Sequence, residues 1–201
     1  MLDKLILWLG VVATKILNKF HEQNINRKCI KKGNTFFYYK NSSVDNLQED
    51  KSAIQVGSET HIKGQLLVFA NGGNIKIGDN CYIGENSRIW SMSSIEIGNR
   101  VLISHGVNIH DSDSHSISAA LRHEHFKKIV SNGHPRYLTS VSSAPIWIGN
   151  DVWIGFNASI MKGVTIGQGA VIGSNAVVTE NVPEYAIAVG NPAQLVGRSQ
   201  P

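Results

Sequence analysis

From Ile148 to Val178 every sixth residue is branched and apolar: Ile148, Ile154, Ile160, Ile166, Ile172 and Val178. Glycine follows at Gly149, Gly155, Gly167 and Gly173. A small or apolar residue recurs four places after each start, at Val152, Ala158, Val164, Ala170, Ala176 and Val182. A period of six matches neither the helical turn of about 3.6 residues nor the plain alternation of one long strand. It matches a solenoid of very short strands, in which each hexad turns one branched side chain inward, bends at its polar pair and begins the next face.

The column continues upstream through Ile77, Ile83, Ile89, Ile97, Ile103 and Ile109, and in weaker form through Val56, Ile62 and Val68. Between Ile89 and Ile97 the step lengthens by two residues, which places a bulge at a corner. Between Val68 and Ile77 it lengthens by three, and Asn71-Gly72-Gly73 supplies turn residues there. Recurrence in phase over about a dozen hexads excludes accident.

Rungs such as Ile166-Gly167-Gln168-Gly169-Ala170-Val171, closed by Ala188-Val189-Gly190-Asn191-Pro192-Ala193, resemble the hexapeptide-repeat acyltransferases over about residues 54 to 198. The resemblance implies an all-β solenoid, a left-handed parallel β-helix with three flat faces and about eighteen residues per coil. The hand comes from the resemblance alone, because spacing fixes the coil but not its sense, and left runs against the usual crossover rule.

A chain of 201 residues suits one domain with a modest extension. Hydrophobic residues at 42% against 17% charged describe a protein with a packed core. The net charge of +4 comes without a basic stripe or interleaved aromatics, so no nucleic-acid partner is expected, and an anionic small molecule such as coenzyme A accounts for the excess. Cys29 and Cys81 are the only cysteines, which fits a reducing, cytoplasmic compartment better than a disulfide framework.

Taken in order, residues 1–20 read as a helix with apolar Leu2, Leu5, Ile6, Leu9, Val12, Ile16, Leu17 and Phe20. Its apolar run is too short to span a bilayer, and no clean signal cleavage site follows. Packing on the end of the solenoid or on a sister subunit is the expectation. The alternative is contact with the inner face of a membrane, with Lys4, Lys15 and Lys19 toward headgroups. The expected division is an N-terminal helical extension over 1–30 and an acyltransferase β-helix domain over 31–198. Phe36-Phe37-Tyr38-Tyr39 reads as a lone strand before coils that begin near Ala53. A long insertion spans 110–147, with a short helix expected over Ile117 to Val130 and turns at Asn132-Gly133 and His134-Pro135. The rungs then resume and end near Val182-Pro183.

Six of the eight histidines fall between His105 and His134, and the sharpest constellation is His110-Asp111-Ser112-Asp113-Ser114-His115 at the mouth of the insertion. In an extended stretch Asp111, Asp113 and His115 would project from one side. A carboxylate beside an imidazole fixes its tautomer and raises its basicity, as a general base requires. Read alone, the same residues would also make a hydrated turn. The Asp-x-Asp-x-His pattern resembles that of sugar O-acetyltransferases of polysaccharide and lipopolysaccharide synthesis. That resemblance implies His115 as base, Asp113 or Asp111 as its orienter, and His110 as a lesser candidate. His123-Glu124-His125 reads as solvated helix surface.

The implied reaction is direct transfer from acetyl-CoA to a sugar hydroxyl, with no acyl-enzyme and no metal. Cys81 falls at a rung position and reads as core. The resemblance further implies a homotrimer with the pantetheine between subunits. It assigns the acetyl-CoA contacts to Phe156, Asn157, Ser174 and Thr179, with Arg198 as the nearby cation, since Glu180 stands where relatives often carry lysine. Trp153, outward on its rung, reads as a subunit-interface aromatic. Trp90 and Arg88 are positional expectations for a nucleotide- or lipid-linked sugar acceptor. Two rival readings share the fold: an N-acetyltransferase of an amino-sugar nucleotide, and a zinc enzyme resembling the gamma-class carbonic anhydrases. The second would use His110 and His115, but the third histidine it needs is missing between Asn71 and Asn80.

Overall fold

The computed structural model describes residues 2–133, 135 and 140–201, with side chains from residue 7 onward. His134, and the side chains of Leu2, Lys4, Leu5 and Ile6, lie outside the described residues. After helix α1 (Leu2–Lys28) the chain climbs as a parallel β-helix, three short strands to a coil. The first coil is β1 (Ile30–Lys31), β2 (Phe36–Phe37) and β3 (Ser43–Asn46); the second is β4 (Ile54–Val56), β5 (His61–Ile62) and β6 (Gln65–Val68). The third is β7 (Ile75–Ile77), β8 (Tyr82–Ile83) and β9 (Arg88–Ser91); the fourth is β10 (Ile95–Ile97), β11 (Leu102–Ile103) and β12 (Asn108–His110). Helix α2 (Ala119–Asn132) lies in the insertion that follows. Two more coils come after it: β13 (Ile146–Ile148), β14 (Trp153–Ile154), β15 (Ser159–Ile160), then β16 (Thr165–Ile166), β17 (Val171–Ile172), β18 (Val177–Val178). Finally β19 (Ala186–Val189) extends the second face, and β20 (Gln194–Arg198) folds back on it antiparallel.

Each strand hydrogen-bonds to the strand one coil away, so the three strands of a coil belong to three parallel faces. Register is kept by the hexad column itself: Ile97 opposes Ile148, Ile103 opposes Ile154 and Ile109 opposes Ile160. These side chains are buried in one continuous core that runs the length of the prism. Burying each is worth about 1.5–3 kcal/mol relative to exposure, which is why an out-of-phase strand is not tolerated. Polar side chains tie the coils together where the chain turns. Along one edge, Ser58 N–H donates to Asp79 Oδ1, Asp79 N–H to Asn99 Oδ1, and Asn99 N–H to Asn150 Oδ1, at 2.7–2.8 Å. The extra residues between Val68 and Ile77 are accommodated at Gly73, whose φ of 119° and close approach to the Ser91 carbonyl leave no room for a Cβ.

The prism starts one coil earlier than the hexad column suggests. Phe36–Phe37 is one side of a complete first coil whose strands pair with those of the second. At its hexad places Lys31, Phe37 and Asn46 stand opposite Val56, Ile62 and Val68, while Cys29, Thr35 and Val44 are buried beside them, and Thr35 Oγ1 hydrogen-bonds the Gly57 carbonyl at 2.7 Å. Helix α1 is longer than expected and reaches Lys28. Its C-terminal end packs on the first coil through Ile25 and Cys29, with Lys28 Nζ on the Val44 carbonyl at 2.7 Å. Earlier turns leave Leu7, Trp8, Leu9, Ile16 and Phe20 exposed, so the expected packing on the end of the coil holds only for the end of the helix. Among the described residues no helix is long and apolar enough to cross a membrane.

The insertion leaves the third face after His110 and rejoins the first at Ile146. It is rooted by a two-stranded ribbon: Asp113 N–H donates to the Ser142 carbonyl and Ala144 N–H to the Asp111 carbonyl, both at 2.9 Å, with Ser112 opposite Ser143. Helix α2 starts and ends two residues later than Ile117–Val130, and Gly133, at φ 77°, closes it by donating to the Ile129 carbonyl.

Candidate active site

The two extra residues between Ile89 and Ile97 turn backbone N–H groups inward at the corner Ser91–Ser94, and an acceptor is needed there. Asp111 supplies it. Fully buried, its carboxylate accepts from Ser91 Oγ at 2.7 Å, Met92 N–H at 2.7 Å and Ser93 N–H at 2.9 Å. Burial still pushes the Asp111 carboxyl above the usual range, opposed by these hydrogen bonds. Asp111 therefore anchors the first residue of the insertion to the coil beneath it.

Two residues on, Asp113 turns to the other neighbour along the prism, and Lys162 Nζ donates to its Oδ1 at 2.6 Å. Ser114 adopts a left-handed conformation, φ 60°, and His115 N–H closes a tight turn on the Asp113 carbonyl. That turn breaks the alternation of an extended strand, so Asp111, Asp113 and His115 do not share a side. Among the described residues neither carboxylate hydrogen-bonds the imidazole. The expected carboxylate–imidazole pair gives way to another: His115 Nδ1 lies 3.3 Å from Nδ1 of His125, with the two rings edge to face at 5.1 Å. His125 is only 6% exposed, which corrects its reading as solvated helix surface; His123 and Glu124 of the same cluster are exposed.

The two imidazoles line a cavity of about 110 Å³ together with Phe69, Asn71, Trp90, Met92 and Ile129. The Trp90 ring is held by three neighbours. Its Nε1–H donates to Gln65 Oε1 at 3.0 Å, Phe69 meets its edge, and His110 stacks flat on it at 4.8 Å. Burial, followed by the nearby Arg88 cation, lowers the His110 pKa, so this ring is neutral near pH 7. Its Nε2 is buried and has no hydrogen-bond partner among the described residues. Arg88 lies over the Trp90 ring at 5.9 Å and reaches Asn108 Oδ1 at 3.4 Å, but it borders a different groove, with Gln65 and Lys40. Trp90 and His115 are thus brought together, and Arg88 stands behind the tryptophan. A roomier groove of about 500 Å³ lies at the far end of the prism between α1 and the first coil, beside Glu22, Ile25 and Phe36, away from His115, His123 and His125.

The residues expected to hold acetyl-CoA divide among the three edges of the prism. Phe156, Asn157 and Ser174 stack on the edge between the second and third faces, where Asn175 N–H donates to the Phe156 carbonyl at 2.7 Å. Asn157 occupies the left-handed turn position there, φ 56°, and Phe156 lies flat against His105 at 5.7 Å. Thr179 follows β18 on the edge from which the insertion springs, two coils along from His110. Arg198, on β20, points toward the third edge, with Nη2 3.5 Å from the Glu184 carbonyl. Both cysteines are buried; burial pushes the Cys29 thiol up to about 11 and raises that of Cys81, so neither offers a thiolate near neutral pH. Among the described residues no group of three or more histidines, cysteines or carboxylates could hold a metal ion.

Residues 145–180 match the family described as bacterial transferase hexapeptide (six repeats), and residues 74–110 match the hexapeptide repeat of succinyl-transferase. A three-faced coil of such hexads, interrupted by a loop that brings an imidazole to a cavity, defines a hexapeptide-repeat protein. More narrowly, its hexads and its fold are similar to those of hexapeptide-repeat acetyltransferases. Among solved structures it is similar to the hexapeptide-repeat-containing acetyltransferase VCA0836 from Vibrio cholerae, with 28% identity over 72% of this chain and 73% of that one and a TM-score of 0.56. It is also similar to galactoside acetyltransferase in complex with coenzyme A, at 25% identity over 84% and 64% of the two chains and a TM-score of 0.56. AntD, an N-acyltransferase from Bacillus cereus solved with dTDP and 3-hydroxybutyryl-CoA, shares the fold at 17% identity over 89% and 88%, with a TM-score of 0.69. No curated protein matches the sequence.

Proposed function

We propose that this acyltransferase moves the acetyl group of acetyl-CoA directly to a hydroxyl of a sugar, with His115 as general base. The observation that carries the reading is the position of the His115 ring in the wall of a cavity that Trp90 and Phe69 also line, aromatic surface against which the apolar side of a sugar can pack. Nε2 of His115 takes the proton of the acceptor hydroxyl as that oxygen forms its bond to the thioester carbonyl carbon. The carbon–sulfur bond then breaks, and the coenzyme A thiolate recovers the proton from the imidazolium. The oxyanion formed between these steps needs an N–H donor aimed at it.

Phe156, Asn157 and Ser174 lie across the third face from the insertion, so one chain does not bring a donor thioester at that edge to His115. We assign the missing edge to a second copy. In a homotrimer the cleft between neighbours would join the imidazole of one chain to Phe156, Asn157 and Ser174 of the next, with Thr179 near the imidazole. The outward column of the second face supports this: Phe36, His61, Tyr82, Leu102 and Trp153 succeed one another, and Leu102 and Trp153 are 54% and 50% exposed. The third face presents Ser43, Gln65, Arg88, Asn108 and Ser159 instead. Arg198, on the remaining edge, would reach coenzyme A only if the cofactor tail extends past the last coil.

The left hand of the coil, the division into an extension over 1–30 and an acyltransferase domain over 31–198, and a cytoplasmic role in surface polysaccharide or lipopolysaccharide assembly belong to the same proposal. So does contact of residues 1–20 with a membrane surface, for which the exposed Leu7, Trp8, Leu9 and Phe20 are the supporting observation. Replacement of His115 by alanine should lower turnover about a hundredfold or more and leave acetyl-CoA affinity nearly intact. Turnover equal to the parent would end the reading. Transfer to an amino sugar is the second reading, because AntD has the same fold. A panel of hydroxyl and amino sugars, read by mass shift with both the parent and His115→Ala, separates the two: an amine needs less help from a base.

A further inference from the structure

We infer that His125 is the positioning residue of this site, holding His115 in the tautomer that can act as a base. The inference rests on the reading of His115 as general base. It starts from one contact, Nδ1 of His115 against Nδ1 of His125 at 3.3 Å, between residues ten apart in the chain.

Two neutral imidazoles that meet nitrogen to nitrogen share one proton, and only two arrangements satisfy the contact. If the proton sits on His125 Nδ1, His115 accepts it, and the neutral His115 ring must carry its own proton on Nε2. Nε2 is then a donor and cannot take a proton from an acceptor hydroxyl. If the proton sits on His115 Nδ1, Nε2 is bare and basic, and His125 must keep its own proton on Nε2. Catalysis by His115 selects the second arrangement.

Helix α2 carries His125 to the back of the cavity, nearly buried, while His115 remains exposed on the side open to an acceptor. When His115 becomes the imidazolium, its Nδ1–H still finds a bare nitrogen, and both rings cannot be charged at this distance. The carboxylates that would ordinarily do this are engaged elsewhere. Asp113 is on Lys162, and Asp111 is on Ser91, Met92 and Ser93.

His125→Phe keeps a ring of similar size and removes the acceptor; His125→Asn places an amide oxygen close to the position of Nδ1. The phenylalanine variant should lose roughly 10- to 100-fold in kcat with the KM for acetyl-CoA unchanged, and the asparagine variant should recover most of the loss. Nitrogen-15 spectra of the parent should find the neutral His115 proton on Nδ1, and His125→Phe should shift it toward Nε2. A phenylalanine variant with parental kcat, an asparagine variant no better than phenylalanine, or a tautomer unmoved by the change would each overturn the inference. His115→Ala, assayed beside them, separates the failures. If it retains turnover, the base itself is wrong; if it is dead while His125→Phe is fully active, only the pairing is wrong.

Discussion

Lys162 Nζ lies 2.6 Å from Asp113 Oδ1, joining the corner after β15 to the loop that carries His115. The two side chains are 31% and 29% exposed, so the pair adds at most about 1 kcal/mol to global stability. Its effect is local. Asp113 is two residues from the imidazole, and its carbonyl receives the His115 N–H. Lys162→Met should leave the melting temperature within about 2 °C of the parent and lower kcat about three- to tenfold, because a base displaced by a fraction of an ångström loses its alignment. Steady-state kinetics beside a thermal melt checks this. A melting temperature that falls as steeply as the activity would show that the pair holds up the fold rather than the loop.

Asp111 should behave in the opposite way. Its carboxylate satisfies the Met92 and Ser93 N–H groups at a buried corner, and alanine would leave both without an acceptor. Each buried donor left unsatisfied costs about 1–3 kcal/mol, so Asp111→Ala should destabilise the protein by about 3 kcal/mol, a fall of roughly 6–12 °C in melting temperature. Differential scanning calorimetry reads the result. Parental stability would mean that water replaces the carboxylate at that corner.

The prism could be read from the sequence because its narrow interior takes a branched side chain at the same place in each hexad, so Ile83, Ile103 and Ile154 announce themselves by spacing alone. The first coil could not. Its hexad places fall to Lys31, Phe37 and Asn46, opposite Val56, Ile62 and Val68, so the column of branched residues stops short of it. The role of Asp111 was half visible: a two-residue excess before Ile97 implies N–H groups turned from the ladder, and a nearby carboxylate is their natural acceptor. What hid it was the assumption of an extended stretch through Ser114, whose left-handed turn parts Asp111 and Asp113 from the imidazole. His125 had no signal at all. Its place beside His115 is set by how α2 folds back over the ribbon, and a histidine between Glu124 and Phe126 on a polar helix looks the same whether buried or solvated.

Cys29 provides a test of the junction between α1 and the first coil. Burial, only partly offset by Lys31 and Lys51, holds its thiol at about 11, above the usual 8.5 or so of an exposed cysteine. Between those values the unfolded chain has released the proton and the folded chain has kept it, so stability is fully present below the unfolded pKa and falls as pH rises toward 11. Lysines and tyrosines titrate in the same range, so the measurement is a difference. Urea unfolding of the parent should weaken between pH 8.5 and pH 11 by roughly 2 kcal/mol more than that of Cys29→Ala. Equal slopes would mean that the thiol is open to water.

A site completed by a second copy has a consequence that a single-chain site lacks. His115 is on the edge that bears the insertion, and Phe156 is on the edge between the second and third faces, so in a trimer each cleft would take one edge from each of two neighbours. His115→Ala spoils one edge and Phe156→Glu the other, and each variant alone should be nearly inactive. Unfolded together in equal amounts and refolded, they assemble at random. About one cleft in four then draws its imidazole from a Phe156→Glu chain and its donor edge from a His115→Ala chain, so activity should return to about a quarter of the parent. Adding Trp153→Asp to both should abolish the recovery by charging the outward column of the second face, with a fall in mass by light scattering. Mixed samples as inactive as the separate variants, from chains shown to be trimeric, would place donor and base in one protomer.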